Sequence, residues 1–222
     1  MSDIGPYEIV RVKDNPQAYE YLAVAYLNWV HGPNCDTEYN NVFQIGNEQR
    51  HLTFMRDDSI GDPKDPENEI PNVQEISAPV GTDVFFPVFY FHSSIGESDG
   101  QKGTCKTIEE CIEAANFDLG LIIIDNGKKM IYAKISINGE EEVDITSNFN
   151  DHDVTVPQFT MTVGENLLNR EPQFHLPPGT HEGAVSGTFM YMRNFKKGEY
   201  ILKFGGKSTV FNTNSVYTMH VD

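Results

Sequence analysis

Long hydrophobic runs are missing from this 222-residue chain. No stretch approaches the roughly 20 apolar residues that a membrane-spanning helix needs. Basic residues are scarce too: 16 Lys and Arg stand against 33 Asp and Glu, a formal charge of −17. A surface this acidic repels phosphate backbones and anionic lipid headgroups. Nucleic acid and membrane surfaces are therefore not expected partners, and solubility is the plainest use of the charge. Cysteine is sparse, and Cys35, Cys105 and Cys111 form no Cys-x-x-Cys pair, which removes zinc-knuckle and thioredoxin-type readings. In a reducing cytoplasm the three are plain thiols. In an oxidising compartment Cys105 and Cys111 can bridge, and the odd count leaves at least one free. The N-terminal Met1-Ser2-Asp3-Ile4-Gly5-Pro6 has no basic stretch leading into an apolar core, so the expected location is the cytoplasm. Walker loops, dinucleotide fingerprints and Gly-x-Ser-x-Gly elbows are absent, and Gly205-Gly206-Lys207-Ser208 lacks the upstream Gly of a phosphate loop. No catalytic residue is assigned.

What is present is enough apolar material for a core. Hydrophobic residues make up 39% and aromatics 11%, so residues 1–222 are expected to form a single β-rich domain. Asn15 and Pro16 are the cap and first turn of a helix over Pro16–Val30. Leu22, Ala25, Tyr26 and Trp29 form its apolar stripe. Trp29, the only Trp, serves there as a packing residue or as a stacking surface for a ligand.

Short strand candidates follow at Val42–Ile45 and Leu52–Met55. An acidic loop over Arg56–Asn72 then brings Asp57, Asp58, Asp62, Asp65, Glu67 and Glu69 close together without the spacing of an EF-hand. Val84–Phe91 is a nearly continuous apolar run, as in a strand buried on both faces, and Pro87 within it implies an edge or a bulge. Thr107-Ile108-Glu109-Glu110 has the form of a capping box opening a short helix to about Ala115. Asn126-Gly127 and Asn138-Gly139 mark hairpin turns, the first between Leu119–Asp125 and Met130–Ile137 and the second before Val143–Thr146. Phe159, Met161 and Val163 alternate with Thr160 and Thr162, and Ala184–Met192, Glu199–Phe204 and Ser215–Val221 complete the strands. The expected fold is mainly β: a β-sandwich or jelly roll with an N-terminal helix and one short additional helix.

Several segments together are similar to a family of uncharacterised bacterial and archaeal β-sandwich proteins, often exported. The likeness is carried by the Trp-containing N-terminal helix, Pro79 to Val88, Pro177-Pro178-Gly179-Thr180, Gly198 to Gly206 and Tyr217 to Val221. This resemblance implies the sandwich fold. It implies no activity and no site residues.

Seven histidines are present, and two segments stand out among them. His92 leaves the most apolar strand in Phe91-His92-Ser93-Ser94-Ile95-Gly96-Glu97, and His175 and His181 flank a Pro-Pro-Gly turn before Glu182. A jelly roll can project such side chains from strand ends onto a divalent metal, so His92, Glu97, His175, His181 and Glu182 are the candidate metal ligands. The Pro-Gly-Thr-His-Glu run is only partly like a cupin motif, since it lacks a His-x-His pair. Trp29, His92 and His181 are the candidate ligand-binding residues, with His92 and one or both of His175 and His181 expected on one concave surface. The leading expectation is a non-catalytic binding or interaction domain for a small molecule, a glycan or a protein. The alternative is a metal-dependent, cupin-like jelly-roll enzyme. A homo-oligomer is compatible with either.

Overall fold

Asn15 opens the first helix by accepting the Ala18 N–H at 3.2 Å, and Pro16 fills the first helical position, so α1 runs Pro16–Val30 as the sequence predicts. The computed structural model that shows this describes residues 5–34, 40–45, 47–56, 71–99, 103–145, 149–165, 167, 176–209 and 212–222. Cys35, the acidic loop carboxylates from Asp57 to Glu69, and His175 lie outside the described residues.

In chain order the strands are β1 (Glu8–Val10), β2 (Asn40–Ile45), β3 (Glu48–Phe54), β4 (Asn72–Ala78), β5 (Asp83–Ser94), β6 (Ser98–Asp99), β7 (Gly103–Thr104), β8 (Ile124–Asp125), β9 (Lys128–Lys129), β10 (Ile131–Ile137), β11 (Val143–Asp144), β12 (Asp153–Val163), β13 (Gly179–Arg193), β14 (Gly198–Lys207) and β15 (Asn212–Val221). The first sheet runs β12-β13-β5-β3-β2, with β1 continuing the β12 side of β13. The second runs β11-β10-β14-β15-β4. Neighbours are antiparallel except β3 with β5 and β4 with β15.

The two sheets stack as a sandwich. Val84, Phe86 and Val88 of β5 and Met190 and Met192 of β13 meet Ala133, Ile135, Leu202, Phe204 and Met219 of the second sheet. The other face of the first sheet is covered by α1, whose Tyr19, Leu22 and Tyr26 pack on Phe85, Phe189 and Tyr191. The central strand β5 is therefore apolar on both sides, as its run of residues requires. Its ladder with β3 reaches only Phe85, and its register with β13 slips where Thr188 faces Phe89 and Phe189 faces Pro87. Val88 is the extra residue, so Pro87 sits beside a bulge, where its missing N–H costs little.

The second helix, α2 (Ile108–Leu119), begins at Thr107, whose hydroxyl accepts the Glu110 N–H at 3.3 Å. The Glu110 carboxylate reaches back to the Lys106 N–H at 2.7 Å. The helix runs one turn past the expected end at Ala115, because Cys111, Ala114, Ala115 and Asp118 keep helical spacing and are all buried. That turn takes Leu119 from the expected hairpin. The hairpin shrinks to β8 and β9, joined by Asn126 and Gly127 at φ 49° and 77°. Tyr200 follows the Gly198 corner and donates to the Lys196 carbonyl at 2.9 Å, tying the start of β14 to the chain before it.

A disulfide joins Cys105 to Cys111. This corrects the expectation of three free thiols attached to a cytoplasmic location. The bridged state is the one that belongs with an oxidising setting. No helix among the described residues is long and apolar enough to cross a membrane.

Candidate functional site

Three segments end together at one edge of the first sheet: the C-terminus of α1, the C-terminal half of β5, and the N-terminal half of β13. Along α1, Tyr19, Ala23 and Leu27 recur every fourth residue on the buried face, and His31 continues that row as the C-cap, 4% exposed. On β5, His92 faces Val185 of β13, which packs in the α1-side core, so the His92 side chain points to the same face as α1. The imidazoles of His31 and His92 lie with ring centroids 4.7 Å apart. Tyr90, two residues before His92 on the same face, stacks on its other neighbour side at 6.3 Å.

Beyond β5 the chain reverses through Ser94-Ile95-Gly96-Glu97. The Glu97 N–H donates to the Ser94 carbonyl at 2.9 Å, and Gly96 takes the positive φ of 87° that a third turn position of this kind favours. The turn folds the Glu97 side chain back over the strand end. Its carboxylate accepts the Ser94 N–H at 3.0 Å and stands 3.6 Å from His92 Nε2. Ser94 itself is 0% exposed, and its hydroxyl has no hydrogen-bond partner among the described residues. The hydroxyl lies over Gly183, where a Cβ would come within 2.8 Å of it. A buried hydroxyl without a partner forfeits about 1–3 kcal/mol of solvation unless something else satisfies it. The cluster thus offers imidazole nitrogens from α1 and β5 with one carboxylate and one hydroxyl at a single strand end.

Of the expected site residues, His92 and Glu97 come together. His181 shares the His92 face but lies four residues further along β13 from Val185, about 13 Å away at the ordinary strand rise. Its Nε2–H donates to the Pro177 carbonyl at 2.8 Å, across the Pro177-Pro178-Gly179 turn. Glu182 is exposed and points to the opposite face, although its carbonyl accepts the Ile95 N–H at 2.8 Å and so helps hold the turn. Trp29 is 7% exposed and packs on Tyr26 and Phe54, with the Arg56 guanidinium 4.7 Å from its ring centre, so the indole serves the core and not a ligand face. Among the described residues, no group of three or more His, Cys, Asp and Glu side chains is placed to hold a metal ion. The sequence reading missed His31 and Ser94. The i+4 row through Tyr19, Ala23 and Leu27 was the signal for His31; Ser94 had none.

Two further polar clusters lie on the α1 face, and both read as framework. Tyr19 donates its one proton to the Val10 carbonyl at 2.6 Å, so the 2.9 Å contact with His152 Nδ1 requires that nitrogen to carry the hydrogen. Burial holds His152 below the usual histidine range, which favours this neutral form. Asp83, fully buried, binds Arg50 through two hydrogen bonds and accepts from Tyr191 OH at 2.8 Å and the Asn194 N–H at 3.2 Å. Burial, then the Asp83 charge, drives the Tyr191 phenol well above its usual range, so it remains a donor. Every group in these two clusters is used to join β1, β3, β5, β12 or β13. Comparison with family models, curated proteins and solved structures found no match for this chain, so its functional reading rests on its own residues.

Proposed function

We propose that this protein is a non-catalytic binding domain for a small hydrogen-bonding molecule, held at the strand-end cluster of His31, His92, Ser94 and Glu97. The observation that carries the reading is the buried Ser94 hydroxyl, without a hydrogen-bond partner among the described residues, on the same face as the paired imidazoles. Polar groups gathered beside aromatic surface at a strand end are the usual makings of a small-ligand site. Tyr90 and His92 supply the flat surface; Glu97 and Ser94 supply an acceptor and a donor.

The test is direct. The ring protons of His31 and His92 are followed by NMR while a panel of neutral mono- and disaccharides, small amides and small carboxylic acids is titrated to millimolar concentration. The reading expects at least one class to shift both rings saturably and to lose that effect in His92→Ala and Ser94→Ala. If no class shifts either ring, or if the shifts survive both substitutions, the reading is wrong.

A further inference from the structure

We propose that the Cys105–Cys111 disulfide is a redox latch on the turn that closes this cluster. The inference rests on the binding reading above and adds its regulation. Cys111 is fully buried in the first turns of α2 and packs with Ala184 of β13, so it is an anchored point of the framework. Cys105 precedes the helix cap and is itself buried, packed with Cys111 and Ala184 and against Ile95 of the turn after β5, and the short β6–β7 ribbon pairs just before it. The bridge transfers the anchor to Cys105, and Cys105 in turn grips the 94–97 turn. Its carbonyl accepts the Gly96 N–H at 3.1 Å, and its Sγ lies 3.1 Å from the Ser94 carbonyl oxygen. The same turn carries Glu97 to within 3.6 Å of His92 and back onto the Ser94 N–H. A continuous chain of contacts therefore runs from α2, through the two sulfurs, to the turn, to Glu97 and to His92.

The chemistry is an ordinary exchange. A dithiol reductant attacks one sulfur of the bridge and then closes its own disulfide. Two electrons and two protons pass to Cys105 and Cys111, which become thiols, and a small-molecule disulfide reverses the step. Reduction leaves Cys111 packed on Ala184 and removes the covalent tie that fixes Cys105, and the turn it holds, to α2. A thiol on Cys105, unlike a bridged sulfur, carries a hydrogen and donates weakly to the Ser94 carbonyl, so the turn stays with Cys105 while both lose the covalent tie to α2. The turn then opens more often, and the contact between Glu97 and His92 parts so that a ligand can reach both side chains. The oxidised protein holds the site closed more of the time, and the reduced protein admits its ligand more readily.

Amide hydrogen exchange tests this without any ligand. It is measured on intact protein before and after dithiothreitol, with thiol titration showing the bridge to be open. The latch expects exchange at Ser94, Ile95, Gly96 and Glu97 to rise roughly tenfold or more on reduction, while Leu202 and Phe204 in the second sheet stay as they were. The double variant Cys105→Ser/Cys111→Ala should match the reduced protein. Unchanged exchange in the turn overturns the proposal, as does an equal rise across all amides, which marks a plain stabilising cross-link. A bridge that resists the dithiol in folded protein overturns it too. The two readings fail separately: a ligand bound equally by both redox states removes the latch alone, whereas a redox-dependent turn with no ligand in the panel removes the binding reading alone.

Discussion

Arg50 holds the buried carboxylate of Asp83 with both arms of its guanidinium, Nε to Oδ2 at 2.5 Å and Nη2 to Oδ1 at 2.8 Å. The pair joins β3 to β5 where those strands run parallel, at the point where Leu52 faces Asp83. Tyr191 and the Asn194 N–H complete the carboxylate's shell from β13 and the residue after it. Such a pair adds little over an apolar substitute, but breaking it strands a charge. Asp83→Asn keeps the shape and leaves the Arg50 guanidinium, itself mostly buried, with only the exposed Glu48 as counter-ion. Urea denaturation should show a loss of about 3–5 kcal/mol with an unchanged slope. Arg50→Lys should lose stability as well, because an ammonium cannot bind both oxygens in the same geometry. A loss below about 1 kcal/mol for Asp83→Asn would mean that the pair is solvated like a surface one.

How far the fold could be read in advance depended on how local each signal was. Asn15-Pro16 and Thr107 name their helix starts because a cap is settled within four residues. Asn126-Gly127 names its turn for the same reason. β1 and β4 were not expected, since Glu8–Val10 pairs with residues 191–193 and β4 joins the last strand in parallel, and neither partnership leaves a pattern in the short segment itself. The site followed the same rule. His92 and Glu97 share a strand end and a turn, so their meeting was visible in the sequence. His31 reaches His92 from a helix some sixty residues earlier (31 against 92), and only the tertiary fold brings the two rings together. Trp29 was open to core packing and to ligand stacking in the sequence, and its neighbours Tyr26 and Phe54 show the packing.

His152 should make stability depend on pH. Its folded pKa is lowered from 6.5, first by burial, while the unfolded chain keeps the ordinary value. As pH falls through that value, the unfolded chain takes up a proton that the folded one refuses. The contribution is therefore complete above pH 6.5, shrinks as pH falls towards the folded pKa, and levels off below it. Thermal melts between pH 7.5 and 5 should show a falling Tm, with a smaller fall in His152→Gln, which cannot titrate. Parallel slopes for the two proteins would assign the dependence to other groups.

Tyr19 should be a costly residue to trim, although Tyr19→Phe removes one oxygen. That oxygen donates to Val10, receives His152 Nδ1–H and accepts the Tyr191 N–H at 3.3 Å. His152 Nδ1–H and the Tyr191 N–H would be left buried without it, and the half-buried Val10 carbonyl would lose its donor. A loss of about 2–4 kcal/mol is expected by chemical denaturation, above the usual figure for one hydrogen bond because several groups are orphaned at once. A loss under 1 kcal/mol would mean that water enters and takes the place of the hydroxyl.

Gly183 bears directly on the cluster. It faces Ser94 across the β5–β13 ladder, and a Cβ there would meet the Ser93 carbonyl at 2.4 Å and the Ser94 hydroxyl at 2.8 Å. The nearer atom is backbone, so a rotamer change cannot relieve the clash, and the two strands must part. Gly183→Ala should therefore cost about 1–3 kcal/mol and move the ring resonances of His92, which lies two residues before Ser94 on the same face. Gly127 is the control, since a Cβ there meets nothing within 4 Å, although its φ of 77° strains any other residue. Gly127→Ala should lower stability through that strain and leave the His92 resonances where they are. If Gly183→Ala shifts His92 no more than Gly127→Ala does, the packing of β13 against the Ser94 turn does not govern the cluster, and the site must be sought elsewhere on the sheet.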